Sequence, residues 1–203
     1  MATTDIDICS RALTRLGESP ISSFDDGSDA ATICSSNYAP LKEFILEAHN
    51  WYAARVRKKL TKSNDTPANE WRYQYPMPSD LLALRAVYDT AATGSPAPYK
   101  RWELMGGFIQ TDADPIWIEY TTEIAEGDMP AYLTELLVVA LAAEIAMAVT
   151  DQANSADRWA RAAWGPSGAK GDNGGMFRRA KRLDRIQQPT RVVQDYTLVS
   201  VRG

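Results

Sequence analysis

The sequence predicts an α+β fold: an antiparallel helical bundle with a small antiparallel β-sheet inserted into it and an extended C-terminal tail. Three observations predict this. Apolar residues recur at three- and four-residue steps before residue 50 and again from residue 130 to 186. Between these stretches, residues 53–124 alternate apolar with polar residues and are punctuated by glycine and proline. After residue 186 helical periodicity stops. The expected organisation is one domain over 1–186, with a docking tail over 187–203.

The first helix is expected over 4–17. Thr4 followed three residues later by Asp7 forms a capping box. Ile6, Cys9, Leu13 and Leu16 supply its apolar stripe, and Gly17 then Pro20 end it. A second helix is expected over 28–50, opening at Ser28, with Ile33, Tyr38, Leu41, Phe44, Ile45 and Ala48 as its buried face. Pro40 lies inside that pattern and should kink or split the helix, because it lacks an N–H and crowds the preceding turn.

The region 53–124 reads as strands. Ala53 to Leu60 is strongly basic, through Arg55, Arg57, Lys58 and Lys59, and suits either a helix end or an edge strand. Arg72 to Met77 is an aromatic-rich strand closed by prolines, and Leu82 to Tyr88 is a further short strand. Arg101–Met105, Gly106-Gly107 and Phe108–Thr111 form a hairpin with a tight glycine turn. Ile116, Ile118 and Tyr120 alternate with Trp117 and Glu119 in the strand after it. Together these strands are expected to make one antiparallel meander.

Residues 130–150 should form the central buried helix, apolar on most faces. Glu135 and Glu144 interrupt its apolar run and argue against a membrane span. A helix over 151–163 and a basic helix over 176–186 follow, separated by Gly165 to Gly175 as a mobile loop. In the tail, Tyr196 and Leu198 alternate with Val193 and Val201 across an extended chain. Such a tail suits adding a strand to a partner's sheet or filling a groove, or else packs back on its own domain.

Composition narrows the function. The chain has 203 residues, 45% of them hydrophobic and 24% charged, with a mean hydropathy of −0.33. That is enough chain for a core without a disulfide or metal staple. No basic-then-apolar signal-peptide pattern opens it. Cys9 and Cys34 have no metal-ligand spacing; they read as reduced thiols on the inner faces of neighbouring helices, with a disulfide as the alternative. His49 has no histidine or cysteine companion and reads as structural.

The formal charge of −4 is unevenly divided. Residues 170–203 carry eight basic groups and three acids, a net of +5, which leaves the remainder at −9. A basic end on an acidic body suggests different partners at the two ends. Arg178, Lys181 and Arg185, with Arg182 beside them, share one helix face and make a stripe suited to phosphate; Lys170 at the loop tip is a further candidate contact. The alternatives are an acidic protein surface or a solvated helix face.

No catalytic constellation stands out. There is no phosphate-loop, dinucleotide-binding or HExxH pattern, and no GxSxG elbow. The acid pairs Asp25/Asp26, Asp112/Asp114 and Glu123/Glu126 sit at turns or helix starts, where acids are favoured locally. A two-carboxylate cell-wall hydrolase is the weakest reading, and no cofactor or metal is expected.

Residues 8–17 (Ile-Cys-Ser-Arg-Ala-Leu-Thr-Arg-Leu-Gly) and 21–28 (Ile-Ser-Ser-Phe-Asp-Asp-Gly-Ser) resemble the start of the phage tail tubular protein A-like family. So do Cys34, Tyr38 and the run Glu47-Ala48-His49-Asn50-Trp51, and the run Trp71 to Asp80 followed by Leu82 to Val87. The hairpin, Ile118-Glu119-Tyr120 and the helix Leu137 to Ala146 complete the likeness, which covers about residues 3–150. The resemblance implies a non-enzymatic head-to-tail connector, or adaptor, of a tailed phage or gene transfer agent. Such proteins form a twelvefold homo-oligomeric ring beneath the portal protein. The ring passes genomic DNA and receives a tail tube, nozzle or tail terminator protein on its other face. The implied location is the virion neck or tail, with the host cytoplasm during assembly and no membrane partner. Because the family's C-terminal segment docks into the portal, Arg191, Val193, Tyr196, Leu198 and Val201 become the expected portal contacts. The Gly165–Gly175 segment departs from the family's more continuous helical hairpin.

Overall fold

The computed structural model describes residues 3–91, 97–166 and 174–187. They form five α-helices and six strands: α1 Asp5–Leu16, α2 Asp29–Ala48, β1 Arg55–Lys59, β2 Tyr73–Pro76, β3 Leu81–Tyr88, β4 Trp102–Met105, β5 Phe108–Thr111, β6 Trp117–Thr122, α3 Ala131–Thr150, α4 Ala153–Trp164 and α5 Gly175–Ile186. All six strands lie between α2 and α3, so the fold mixes helices with an inserted β region.

Both ends of α1 follow local chemistry. The Asp7 N–H donates to Thr4 Oγ1 at 3.1 Å, and the Thr4 N–H donates back to Asp7 Oδ2 at 3.0 Å. Gly17 closes the helix at φ +89°, and the Glu18 N–H reaches the Leu13 carbonyl. Helix α2 starts at Ser28, whose hydroxyl accepts from the Ala31 N–H.

Helix α2 runs through Pro40 without being split. Pro40 and Ser36 are both exposed, so the Ser36 carbonyl that loses its helical partner can be satisfied by water. Phe44 and Ala48 also lie on this outer side, against expectation. Phe44 is 57% exposed and meets Trp164 edge-on at 6.0 Å, while Ala31, Cys34, Lys42 and Leu46 join the buried set instead. Cys9 and Cys34 are buried free thiols that hydrogen-bond each other; that contact and burial push the Cys9 thiol up and keep it protonated.

The strands do not form one meander. They divide into two three-stranded antiparallel sheets, in the orders β1-β6-β3 and β2-β5-β4. Only the β4–β5 hairpin pairs neighbours joined by a tight turn, at Gly106 and Gly107, with φ of +59° and +82°. Strand β6 takes the centre of the other sheet and pairs with β1 and β3, both distant in sequence. The two sheets bury a shared core of Leu60, Tyr75, Val87, Ile109, Ile118 and Tyr120.

The second core is helical. Leu133, Leu136, Leu137, Leu141 and Ile145 of α3 pack with Ile8 and Leu13 of α1, Ile45 and Leu46 of α2, Ala163 of α4 and Ala180 of α5. Among the described residues α3 is the one helix long and apolar enough to cross a membrane by length and composition, and its neighbours in this core cover most of it. Of its acids, Glu135 accepts from Arg11 and Arg15, and Glu144 is exposed.

Arg85 of β3 joins the two cores. Its guanidinium donates to the Leu46, Glu47 and His49 carbonyls at the end of α2 and to Thr121 Oγ1 of β6. Helix α2 ends without glycine or a basic residue in its last turn, so this distant arginine supplies its C-terminal cap.

The burial pattern sets an order of sensitivities. Leu137→Ala should cost about 2–5 kcal/mol, through lost burial and the cavity left behind. Phe44→Ala should cost less than about 1 kcal/mol, as a partly exposed position. Urea unfolding of both variants checks this, and equal losses would contradict the placement of Phe44.

Candidate functional site

Helix α5 carries the basic stripe expected of it. Arg178, Arg182 and Arg185 are exposed, and Lys181 lies half-buried with its ammonium 5.5 Å from the Phe177 ring centroid. The opposite face holds Met176, Phe177, Ala180 and Asp184 against the helical core. Lys170, Arg191, Val193, Tyr196, Leu198 and Val201 lie outside the described residues.

Asp184 fixes this helix in place. It is fully buried, and its Oδ1 accepts from the Tyr132 hydroxyl at 2.7 Å and from the Tyr52 N–H at 2.9 Å. His49 Nε2 stands 3.6 Å from Oδ2, an ion-pair distance rather than a hydrogen bond, and the His49 ring meets Trp51 edge-on at 4.7 Å. Burial by itself would raise the Asp184 pKa. The His49 imidazole, the Tyr132 hydroxyl and the Tyr52 N–H outweigh it and hold the carboxyl below its ordinary 3.8. The sequence signal was present: Asp184 is the one acid on the apolar face of α5, four residues after Ala180.

The α4–α5 connection closes on itself at its ends. A Cβ at Gly175, where φ is +66°, would lie 2.5 Å from the Ala163 carbonyl oxygen. A Cβ at Gly165 would lie 3.0 Å from Gly174 Cα. Glycine is therefore required where the two chain segments meet. The Trp164 and Phe177 rings, 5.7 Å apart, pack the helices together beside this neck.

A second basic surface lies on β1, where the sequence allowed a helix end or an edge strand. The structure makes it an edge strand. Arg55, Arg57 and Lys59 share a sheet face with Thr121, Glu119 and Trp117 of β6. Arg57 lies 4.3 Å from the Tyr88 ring centroid and 3.0 Å from Glu119, and Lys59 lies 5.6 Å from the Trp117 ring centroid. The Asp184–Tyr52 hydrogen bond sets the last turn of α5 beside the start of this strand.

Each acid pair has at least one carboxylate held by a neighbouring group in the fold. Asp26 accepts from the N–H and hydroxyl of Ser28, Asp112 pairs with Arg101, and Asp114 takes Lys62 and the Tyr75 hydroxyl. Glu123 and Glu126 both accept from Lys42, which is only 7% exposed, and Glu126 also accepts from Tyr38. These partners hold Asp26, Asp114 and Glu126 below their ordinary pKa values. Among the described residues no three His, Cys, Asp or Glu side chains converge as metal ligands.

No protein-family model matches the chain, and no curated protein matches it significantly.

Asp184→Ala leaves the Tyr132 hydroxyl and Tyr52 N–H without their buried acceptor and should cost about 2 kcal/mol or more. Because the folded pKa is depressed, the Asp184 contribution is fully present above the ordinary carboxyl value of 3.8 and is lost as pH falls through the lower folded value. Hydrogen exchange of the α5 amides should therefore accelerate in that acid window in the native chain. In Asp184→Asn the α5 amides should exchange faster already at neutral pH, and the acid step should be missing. An unchanged pH profile in the Asn variant would remove Asp184 from this role.

Proposed function

We propose that this chain is a structural virion protein: a head-to-tail adaptor that assembles as a ring, of twelve copies on the family resemblance, between the portal and the tail. The observation that carries this reading is the presentation of α5. One side of the helix is locked into the core by Asp184, and the other offers Arg178, Arg182 and Arg185 to a partner. The chain continues directly from that helix into residues 187–203, the proposed portal-docking tail. The resemblance of about residues 3–150 to the adaptor family adds support. In the proposed ring the bundle and its inserted β region surround the DNA path. The acidic body disfavours phosphate contact there and lets the genome slide.

Native mass determination of the chain, alone and with its cognate portal, tests the reading. The expected outcome is a ring, or a ring-sized complex formed only with portal. Removing residues 189–203 should abolish portal binding while the circular dichroism of the remainder is retained. A truncated chain that binds the portal as before would overturn the tail assignment.

The exposed arginines of α5 favour one second reading, a DNA-binding module. It predicts duplex affinity that falls linearly with the logarithm of salt concentration. Each of Arg178→Ala, Arg182→Ala and Arg185→Ala should then reduce that slope by about one unit. A chain that forms no ring, ignores the portal and shows this slope would replace the adaptor reading with this one.

A further inference from the structure

We infer that the free edge of β1 is a docking site for an acidic extended segment of another protein, which adds to the sheet as a fourth strand. Ladder geometry comes first. The Leu60 N–H donates to the Ile116 carbonyl at 3.1 Å, which makes Leu60 and Ile116 a hydrogen-bonded pair. Counting back along the antiparallel register, Lys58 and Val56 also turn their backbone groups toward β6. Arg57 and Lys59 therefore turn their N–H and C=O groups outward. The far side of the sheet agrees: the Val87 carbonyl, opposite Ile118, points away from β6 and accepts from the Tyr99 N–H at 2.7 Å.

The other sheet edges carry contacts of their own, by backbone bonds at β3 and β2 and by side chains at β4. Tyr99 bonds the outer side of β3, and the Ser63 N–H bonds the Gln74 carbonyl on β2. Beside β4, Trp71 Nε1 donates to Glu103, and Asn69 contacts the Met105 sulfur. Among the described residues none bonds the outward backbone groups of Arg57 and Lys59.

Charge then selects the occupant. Four of the five β1 residues are cationic, and Glu119 is the carboxylate that pairs with them, through Arg55 and Arg57. A second copy of β1 would set like charges opposite one another, so the edge rejects its own kind. Residues 188–203 carry Arg191 and Arg202 against Asp195 and gain nothing from it either. An incoming strand with acids at every second position sets them beside Arg57 and Lys59, on the face that both share. The Arg57 side chain reaches inward across β6 to Glu119 and the Tyr88 ring, and Lys59 reaches to the Trp117 ring, so an arriving carboxylate draws these flexible cations back toward the edge. A nucleic acid could use the charge but not the outward amide and carbonyl ladder.

The test uses the full chain and a fluorescent peptide that alternates glutamate and valine. The peptide should bind, and a lysine–valine peptide should not. Two further peptides carry N-methyl groups on alternate amides, one on the glutamates and one on the valines. Strand addition turns only one set of amides toward β1, so one methylated peptide should bind at least roughly tenfold more weakly and the other should be tolerated. Hydrogen exchange at the Arg57 and Lys59 amides should slow when the unmodified peptide is bound. Lys59→Glu should weaken binding several-fold. The proposal is overturned if the glutamate peptide does not bind, if both methylated peptides bind like the parent, or if a single-stranded oligonucleotide of equal charge competes as well as the peptide. None of these outcomes depends on whether the chain forms a ring.

Discussion

Helix α3 is the constraint on which the rest of the structure depends. Its twenty residues are apolar on nearly every side, so no single neighbour can take it out of water. Helices α1, α2, α4 and α5 each contribute buried residues to the core around it. That demand explains why the flanking helices are of a different kind. Helices α1, α4 and α5 are amphipathic, with a narrow apolar stripe turned inward and charge left outside. The Glu135 carboxylate near the start of α3 accepts from both Arg11 and Arg15 of α1, so even the polar break in the apolar run ties it to a neighbour.

Packing around α3 does not by itself orient the outer elements. Two polar devices do that, one half-buried and one fully buried. Arg85 reaches from β3 to three carbonyls at the end of α2 and so fixes the sheet core against the helical core. Asp184 reaches from α5 to Tyr132 of α3 and to the Tyr52 backbone ahead of β1. Asp184 satisfies a Tyr132 hydroxyl that would otherwise be buried without a partner, and an unmade hydrogen bond costs more than a made one gains. Each also acts at one geometry only, which apolar contact does not require. The position of the basic stripe of α5 thus rests on one carboxylate that points the other way.

Features governed by neighbours in the chain were legible in the sequence. The Thr4–Asp7 capping box, the Gly17 stop, the Ser28 cap and the Gly106-Gly107 hairpin each involve residues within a few positions, and each stands as read. Partner choice across long separations was not legible. The alternation of Ile116, Ile118 and Tyr120 marked β6 as half-buried, but alternation does not say which strands flank it. Phe44 fitted the α2 stripe by spacing, and only the placement of α4, with Trp164 against it, leaves it outside. Pro40 fell on the solvent side, where the lost hydrogen bond is least costly, and so the helix continued. Of the expected contacts, those on α5 are described, while the tail residues are not.

Charge counted along the chain concealed a distinction that the fold makes plain. The segment before residue 170 sums to −9, yet it contains Arg55, Arg57, Lys58 and Lys59 on one strand edge. The two basic surfaces of the molecule, on α5 and on β1, differ in what stands behind the charge. An α-helix spends its backbone N–H and C=O groups on itself, so the face of α5 has only flexible cations to offer. Such a surface attracts any dense array of negative charge and has little means of telling one array from another. An edge strand keeps half of its backbone groups turned outward at fixed spacing, so β1 adds direction and register to the same positive charge. A polyanion of irregular spacing satisfies the first surface and not the second. The two surfaces therefore differ in backbone geometry and not only in charge.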